Sequence, residues 1–207
     1  MNYLTDQEDF WAGVFGDDYI ERNKGAEILA SNLNFFSRIL SKTNELNSCL
    51  EFGSNIGMNL KAIRLLYPKI SIKAIEINKK ACEELSILIG KKNVFNQSIF
   101  EFGIDETFDL TFTKGVLIHL NPDKLENVYE KLYKNSRKYI LIAEYFSPNP
   151  ISVKYRGYDN KLFKRDFAGE LMKIYPDLKL VDYGFCYSKD NNYPQDDINW
   201  FLLEKNN

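Results

Sequence analysis

The sequence predicts an α/β fold, a largely parallel sheet with helices on both faces, and three observations predict it. Short apolar runs alternate with longer stretches of helical periodicity. A glycine-bearing turn follows the first of these runs and leads into a helix. Gly and Pro mark further boundaries, where a helix must stop or a strand must turn. Such alternation implies parallel βαβ units with right-handed crossovers. Ligands then bind beyond the carboxyl ends of the strands, near the switch in strand order.

Trp11, Phe15, Tyr19 and Arg22 fall at helical spacing, which suits both a core-facing stripe and a helix lying over a ligand. Residues 1–23 are therefore expected to form an extension or lid ahead of a single domain over 24–207. Lys24 to Leu40 carries Ile28, Leu29, Leu33, Phe36, Ile39 and Leu40 at helical spacing. Cys49 to Phe52 is a short buried strand cut by Gly53, and Asn59 to Tyr67 is a helix stopped by Pro68. Ile70 to Ile77 reads as a strand, and Lys79 to Ile89 as a helix ended by Gly90. Strands follow at Val94 to Gln97 and Phe108 to Thr113. Asn121 caps a helix from Asp123 to Asn135 with Pro122 at its first position. Tyr139 to Ala143 is the most strand-like segment, Tyr145 to Arg156 reads as a loop, and Asp166 to Tyr175 as a helix. Leu178 to Tyr187 and Ile198 to Glu204 close the chain as a hairpin-like pair of strands.

Composition narrows the function. A chain of 207 residues with 44% hydrophobic and 27% charged residues is an ordinary globular one. The net charge of −2 offers no attraction to a polyanion, so a nucleic-acid substrate is not expected. No apolar run is long enough to span a bilayer, so no membrane insertion is expected. Met1 to Phe10 lacks the basic and apolar regions of a signal peptide, and the three scattered cysteines suit a reducing compartment, so the expected location is the cytoplasm. With a single histidine, His119, a His-built metal site is not expected either.

The loop Glu51-Phe52-Gly53-Ser54-Asn55-Ile56-Gly57 lets the backbone turn sharply and approach a ligand. A dinucleotide-binding turn would place glycines at 53, 55 and 58, where this chain has Asn55 and Met58. Glu51 beside the loop disfavours a pyrophosphate and suits an ammonium group, which favours a zwitterionic, cationic cofactor. Glu76 and Ile77 end the second strand, where a carboxylate can accept two ribose hydroxyls. Gln97-Ser98-Ile99 follows the third strand, where a side chain and a backbone amide can read an adenine edge. Solvated strand-end charge is the competing reading for each acid taken alone. All of these motifs are expected at the carboxyl edge of the sheet.

Glu51-x-Gly53-x-x-x-Gly57, the acidic Glu76 and the strand-four sequence Phe108-Asp109-Leu110 resemble class I S-adenosylmethionine (SAM)-dependent methyltransferases over roughly residues 24–205. The resemblance implies a Rossmann-like, seven-stranded, mostly parallel sheet with an antiparallel last strand. It implies SAM as cofactor, S-adenosylhomocysteine (SAH) as product, and Glu51, Gly53, Ser54, Asn55, Gly57, Glu76, Ile77, Gln97, Ser98, Ile99 and Lys114 as the cofactor site. Residues 10–23, Phe112 to Leu120 and Tyr155-Arg156-Gly157 further resemble the pseudaminic acid biosynthesis-associated methylases. That likeness implies O-methylation of a small polar acceptor in bacterial surface-sugar biosynthesis, the partner being a free or nucleotide-linked acidic sugar. Asn55 in place of a common glycine and Ser98 in place of a frequent aspartate depart from the broad pattern.

His119, just past the fourth strand, is the candidate general base; pocket lining and a structural cap are its alternatives. Tyr145, Tyr155 and Tyr158 offer faces for a sugar ring, and Arg156 a fork for a carboxylate or phosphate. A surface loop packed by tyrosines is the plainer reading of that stretch. Other acceptors, or a SAM-binding module without turnover, remain alternatives, and the oligomeric state is not legible.

Overall fold

The computed structural model describes residues 3–206. Two short helices, α1 (Asp6–Ala12) and α2 (Val14–Ile20), precede α3 (Ala26–Leu40). The alternating body follows as β1 (Ser48–Phe52), α4 (Met58–Leu66), β2 (Ser71–Glu76), α5 (Lys79–Ile89), β3 (Val94–Asn96), β4 (Phe108–Lys114), α6 (Leu125–Asn135) and β5 (Ser136–Glu144). Beyond it lie β6 (Ile151–Tyr155), β7 (Tyr158–Lys164), α7 (Phe167–Ile174), β8 (Leu178–Phe185) and β9 (Asn199–Lys205).

Seven strands form one sheet in the order β3-β2-β1-β4-β5-β9-β8. β1 to β5 pair in parallel, while β9 runs antiparallel to both β5 and β8, as the resemblance implied. The order reverses between β1 and β4, so the crevice for a ligand opens above their carboxyl ends.

Alternation along the strands splits the core into two layers. Cys49, Ile72, Leu110 and Leu141 face α3, α4 and α5, whereas Leu50, Ile75, Ile140 and Ile142 face α6 and α7. By the same alternation Glu51 belongs to the α4 side and Glu144 to the α6 side.

Three details differ from the sequence reading. The stripe from Trp11 to Arg22 is not one helix: the chain breaks at Gly13, and its two parts fold against each other. β5 starts at Ser136, because the chain passes from α6 straight into the sheet and extends the apolar strand with polar residues. Tyr145 to Arg156 is not simply a loop, since Ile151–Tyr155 pairs antiparallel with Tyr158–Lys164. Arg156 and Gly157 form its two-residue turn, both at positive φ (49° and 92°), as a tight hairpin requires. Asp109, second in β4, sits at the amino edge of the sheet: its Oδ2 accepts the N–H groups of Asn47 (2.8 Å) and Ser48 (3.0 Å), and Arg137 pairs with Oδ1 at 2.8 Å.

Asp109 is thus a clamp that fixes the entry to β1. Asp109→Ala is expected to lower the unfolding free energy by roughly 2–3 kcal/mol, since it leaves two backbone donors without an acceptor. The midpoint of urea denaturation measures it.

Candidate active site

Above the β1–β4 crevice lies a cavity walled by the cofactor loop, the ends of β2 and β4, the residues after β3, the hairpin, and α1 and α2. The turn after β1 is built for close approach. Gly53 has φ +74°, and a Cβ there would stand 2.7 Å from Val116 Cγ2. Gly57, at φ +82°, precedes α4, and a Cβ there would stand 2.6 Å from Leu85 Cδ1. Gly57 therefore shapes the turn but does not line the cavity.

Glu76 ends β2 in the cavity wall, 7% exposed. Its Oε2 accepts the Asn55 N–H at 2.6 Å and its Oε1 the Asn78 N–H at 2.7 Å. Asn55 sits at φ 48°, a conformation Asn tolerates better than most residues. Each carboxylate oxygen retains a second lone pair for a ligand. Burial pushes the Glu76 carboxyl up, and the N–H bonds from Asn78 and Asn55 partly offset it. Asn78 also caps α5 and donates from Nδ2 to the Trp11 carbonyl (3.3 Å) and Asp17 Oδ1 (2.9 Å), tying the N-terminal helices to the end of β2.

Glu51 is placed differently from the sequence expectation. It is fully buried on the α4 side, behind the wall. Asn59, which does line the cavity, donates from Nδ2 to Glu51 Oε1 at 2.7 Å. Glu51 Oε2 has no partner among the described residues. Burial pushes its carboxyl up to about 8, with Asn59, Ser54 and the charge of Lys114 pulling against it. Lys114, at the end of β4, lines the cavity; burial lowers its ammonium pKa, and Asp196 heads the charges that oppose this.

Of the other expected cofactor residues, Gly53, Ser54, Asn55, Ile77, Ser98 and Ile99 line the cavity. Gln97 does not: it is half-buried outside the wall, its N–H turned back to the Phe95 carbonyl. Phe100, missed in the sequence, stands there instead, and its N–H engages Ser98 Oγ at 3.0 Å.

His119 closes a short 3-10 turn, Leu117–His119, and faces the cavity. Its Nδ1 lies 2.7 Å from the Lys161 carbonyl, an acceptor, so Nδ1 carries the proton and Nε2 the lone pair. Burial lowers its pKa to about 4 and keeps the ring neutral. Trp11 and Tyr155 pack against it, with ring centroids at 4.6 and 4.8 Å. Tyr145 and Tyr155 line the cavity, with Tyr19 and Asp196 beside them. Arg156 and Tyr158 do not, because the hairpin turn carries them outward; Arg156 stacks over Tyr155 at 5.7 Å, and Tyr158 packs on Phe10 at 5.0 Å.

Reasoning from sequence missed Asn59, Asn78, Glu144, Asp196, Gln7 and Glu8. The Thr5–Glu8 capping box was the one local signal near the last pair. Nothing local marks Asp196, which the β8–β9 connection brings to the cavity. Among the described residues no group of His, Cys, Asp and Glu could hold a metal, and no helix is long and apolar enough to cross a membrane.

Solved structures share this architecture. A 1,6-didemethyltoxoflavin-N1-methyltransferase of Burkholderia thailandensis, with its substrate and SAH bound, superposes with a TM-score of 0.71 at 13% identity, covering 97% of this chain and 87% of that one. The magnesium protoporphyrin IX methyltransferase of Synechocystis PCC 6803, with SAM bound, gives 0.67 at 13% identity with full coverage of both chains. A SAM-dependent methyltransferase of Clostridium acetobutylicum ATCC 824 gives 0.63 at 12%, covering 93% and 98%. The fold is that of the class I SAM-dependent methyltransferases. No protein-family profile matches the sequence, and no curated protein does.

The carboxylates of this methyltransferase-fold site make stability depend on pH. Glu51 and Glu144 hold their protons to about 8 and about 7, against 4.5 in an unperturbed chain. The folded state binds these protons more tightly, so the stabilisation is fully present below about pH 4.5 and is lost progressively as pH rises from there to about 7 for Glu144 and about 8 for Glu51. His119, depressed to about 4 from 6.5, acts oppositely, but only below pH 6.5. The ligand-free protein should therefore lose stability between about pH 6.5 and 8.5. Urea midpoints at those two pH values test this; an unchanged or higher midpoint at the upper one contradicts it.

Proposed function

We propose that this chain is a SAM-dependent methyltransferase acting on a small polar acceptor. The observation that carries the proposal is Glu76, a carboxylate fixed by two backbone N–H groups in the cavity wall beside the glycine turn. Solved proteins of the same fold hold SAM or SAH, which supports the reading.

The residues present fit the cofactor. Glu76 would take the ribose hydroxyls through its free lone pairs. Ser98, Ile99 and Phe100 would flank the adenine, with Gly53 and Ser54 along the ribose–methionine span. Glu51, through Asn59 and its unpartnered Oε2, would stabilise the ammonium end. When bound, SAM supplies a methyl group on a cationic sulfur, open to in-line displacement.

The chain's own contribution is positioning and exclusion of water. α1 and α2 act as a lid, with Trp11, Gly16 and Tyr19 in the cavity wall. His119 Nε2 would accept a hydrogen bond from the acceptor's O–H or N–H and so turn a lone pair of the acceptor's own oxygen or nitrogen toward the methyl group. With a pKa near 4 it is a weak base, so orientation is its main role.

A second reading, O-methylation of an acidic sugar, free or nucleotide-linked, is favoured by Lys114, the one cation among the residues lining the cavity. Arg156, expected for that task, lies outside. Incubation with SAM and a panel of amines, phenols, neutral sugars and acidic sugars tests both readings, with SAH formation and gain of one methyl as readouts. SAH formed with an acceptor establishes the enzyme. Tight SAM binding with no turnover across the panel would favour a SAM-binding module.

A further inference from the structure

The parallel ladder between β4 and β5 ends where the Gly115 N–H meets the Ala143 carbonyl at 2.9 Å. The next three N–H groups, of Val116, Leu117 and Ile118, open the 3-10 turn and have no helical carbonyl ahead of them. One side chain takes all three. Glu144, at the end of β5 and 2% exposed, accepts Val116 N–H at 3.0 Å and Leu117 N–H at 3.1 Å on Oε1, and Ile118 N–H at 3.4 Å on Oε2. These are charge-assisted bonds in a buried setting, where an unmet donor is costly.

The segment so held bears on both halves of the cavity. Val116 packs its methyls over the Cα of Gly53, which leaves no room for a Cβ. His119, one residue past the anchored stretch, places its ring against Trp11 and Tyr155. We infer that Glu144 is a positioning residue: its carboxylate fixes the 116–118 backbone, and through it sets Val116 on the cofactor turn and His119 in the acceptor wall. The consequence for ligand binding rests on the methyltransferase reading; the hold on the loop does not.

On its own face of the sheet Glu144 has Thr113 from β4 and Tyr129 from α6 as neighbours, while the charge of Lys114 reaches it from the opposite face, where that ammonium lies over the Phe35 ring at 5.6 Å. Behind Tyr129, whose hydroxyl donates to Glu170 at 2.7 Å, lies the Arg165–Glu170 pair. Burial pushes the Glu144 carboxyl up to about 7 and the three N–H groups pull it down. His119, near 4, does not titrate in that range, and Glu51 lies on the other face of the sheet. A proton on Glu144 weakens its hold on the three donors, so the loop loosens as pH falls through 7.

NMR on the full chain between pH 5.5 and 8.5 tests this. The amide proton shifts of Val116, Leu117 and Ile118 are expected to titrate together with the Glu144 carboxyl carbon and to lose that step in Glu144→Gln. The His119 ring signals should shift in the same variant, and its SAH affinity should fall roughly tenfold. Amides that stay flat while the Glu144 carbon titrates would overturn the inference. So would a folded E144Q with wild-type His119 signals and wild-type SAH affinity. Should the wild-type protein ignore SAH while the amides follow Glu144, the methyltransferase reading falls and the hold on the loop stands.

Discussion

Glu76→Ala is expected to weaken SAH binding by about a hundredfold or more while leaving the fold intact. The carboxylate does two things at once. It accepts Asn55 N–H and Asn78 N–H, and in the proposed complex it also receives the ribose hydroxyls. Bonds to a charged group are each worth about 1.5–3 kcal/mol, so losing two to the ligand gives this factor, with slack in the Asn55 turn adding to it. The cost to the empty protein is smaller, because water can enter the space and meet the freed donors. Titration calorimetry measures the affinity, and circular dichroism confirms the fold. A variant that binds within threefold of wild type, on the order of 0.6 kcal/mol, would show that Glu76 does not hold the nucleoside.

Glu51→Gln is expected to move stability and binding in opposite directions. The carboxyl is fully buried, with one oxygen on Asn59 and the other without a partner among the described residues. Ionising it above pH 8 costs the empty protein, and a neutral amide of the same shape removes that cost. The variant should therefore resist urea better than wild type at pH 9. A bound ammonium reverses the logic, since it favours the ionised form. Wild type should then release a proton on binding SAH near pH 7, most of it lost in Glu51→Gln along with roughly tenfold in affinity. Calorimetry in two buffers of different ionisation enthalpy counts the proton. Equal release by both proteins would place the titrating group elsewhere.

These two acids show what the sequence discloses and what it conceals. Both could be located because strand and helix periods fix where the chain reaches the carboxyl edge, and Gly53 fixes the turn between them. Alternation along β1 then sends Glu51 to the α4 side, so one of the pair lies behind the wall and acts through Asn59. The β6–β7 hairpin was hidden because its first strand follows Ser147-Pro148-Asn149-Pro150, a loop signal. The cue was Arg156-Gly157 between alternating residues, and it bears on the site because the turn carries Arg156 outward. Asp109 stands at the start of the fourth strand, which the sequence shows, but the backbone donors it meets belong to the entry of β1, a neighbour set by strand order rather than by any local pattern. Asp196 reaches the cavity through tertiary closure, which no local pattern encodes.

Titration calorimetry of the full chain with SAH tests most directly whether the β1–β4 crevice is a nucleoside site. One molecule per chain should bind, with a dissociation constant on the order of 1–100 µM at neutral pH. No heat and no protection against unfolding at millimolar SAH would contradict it.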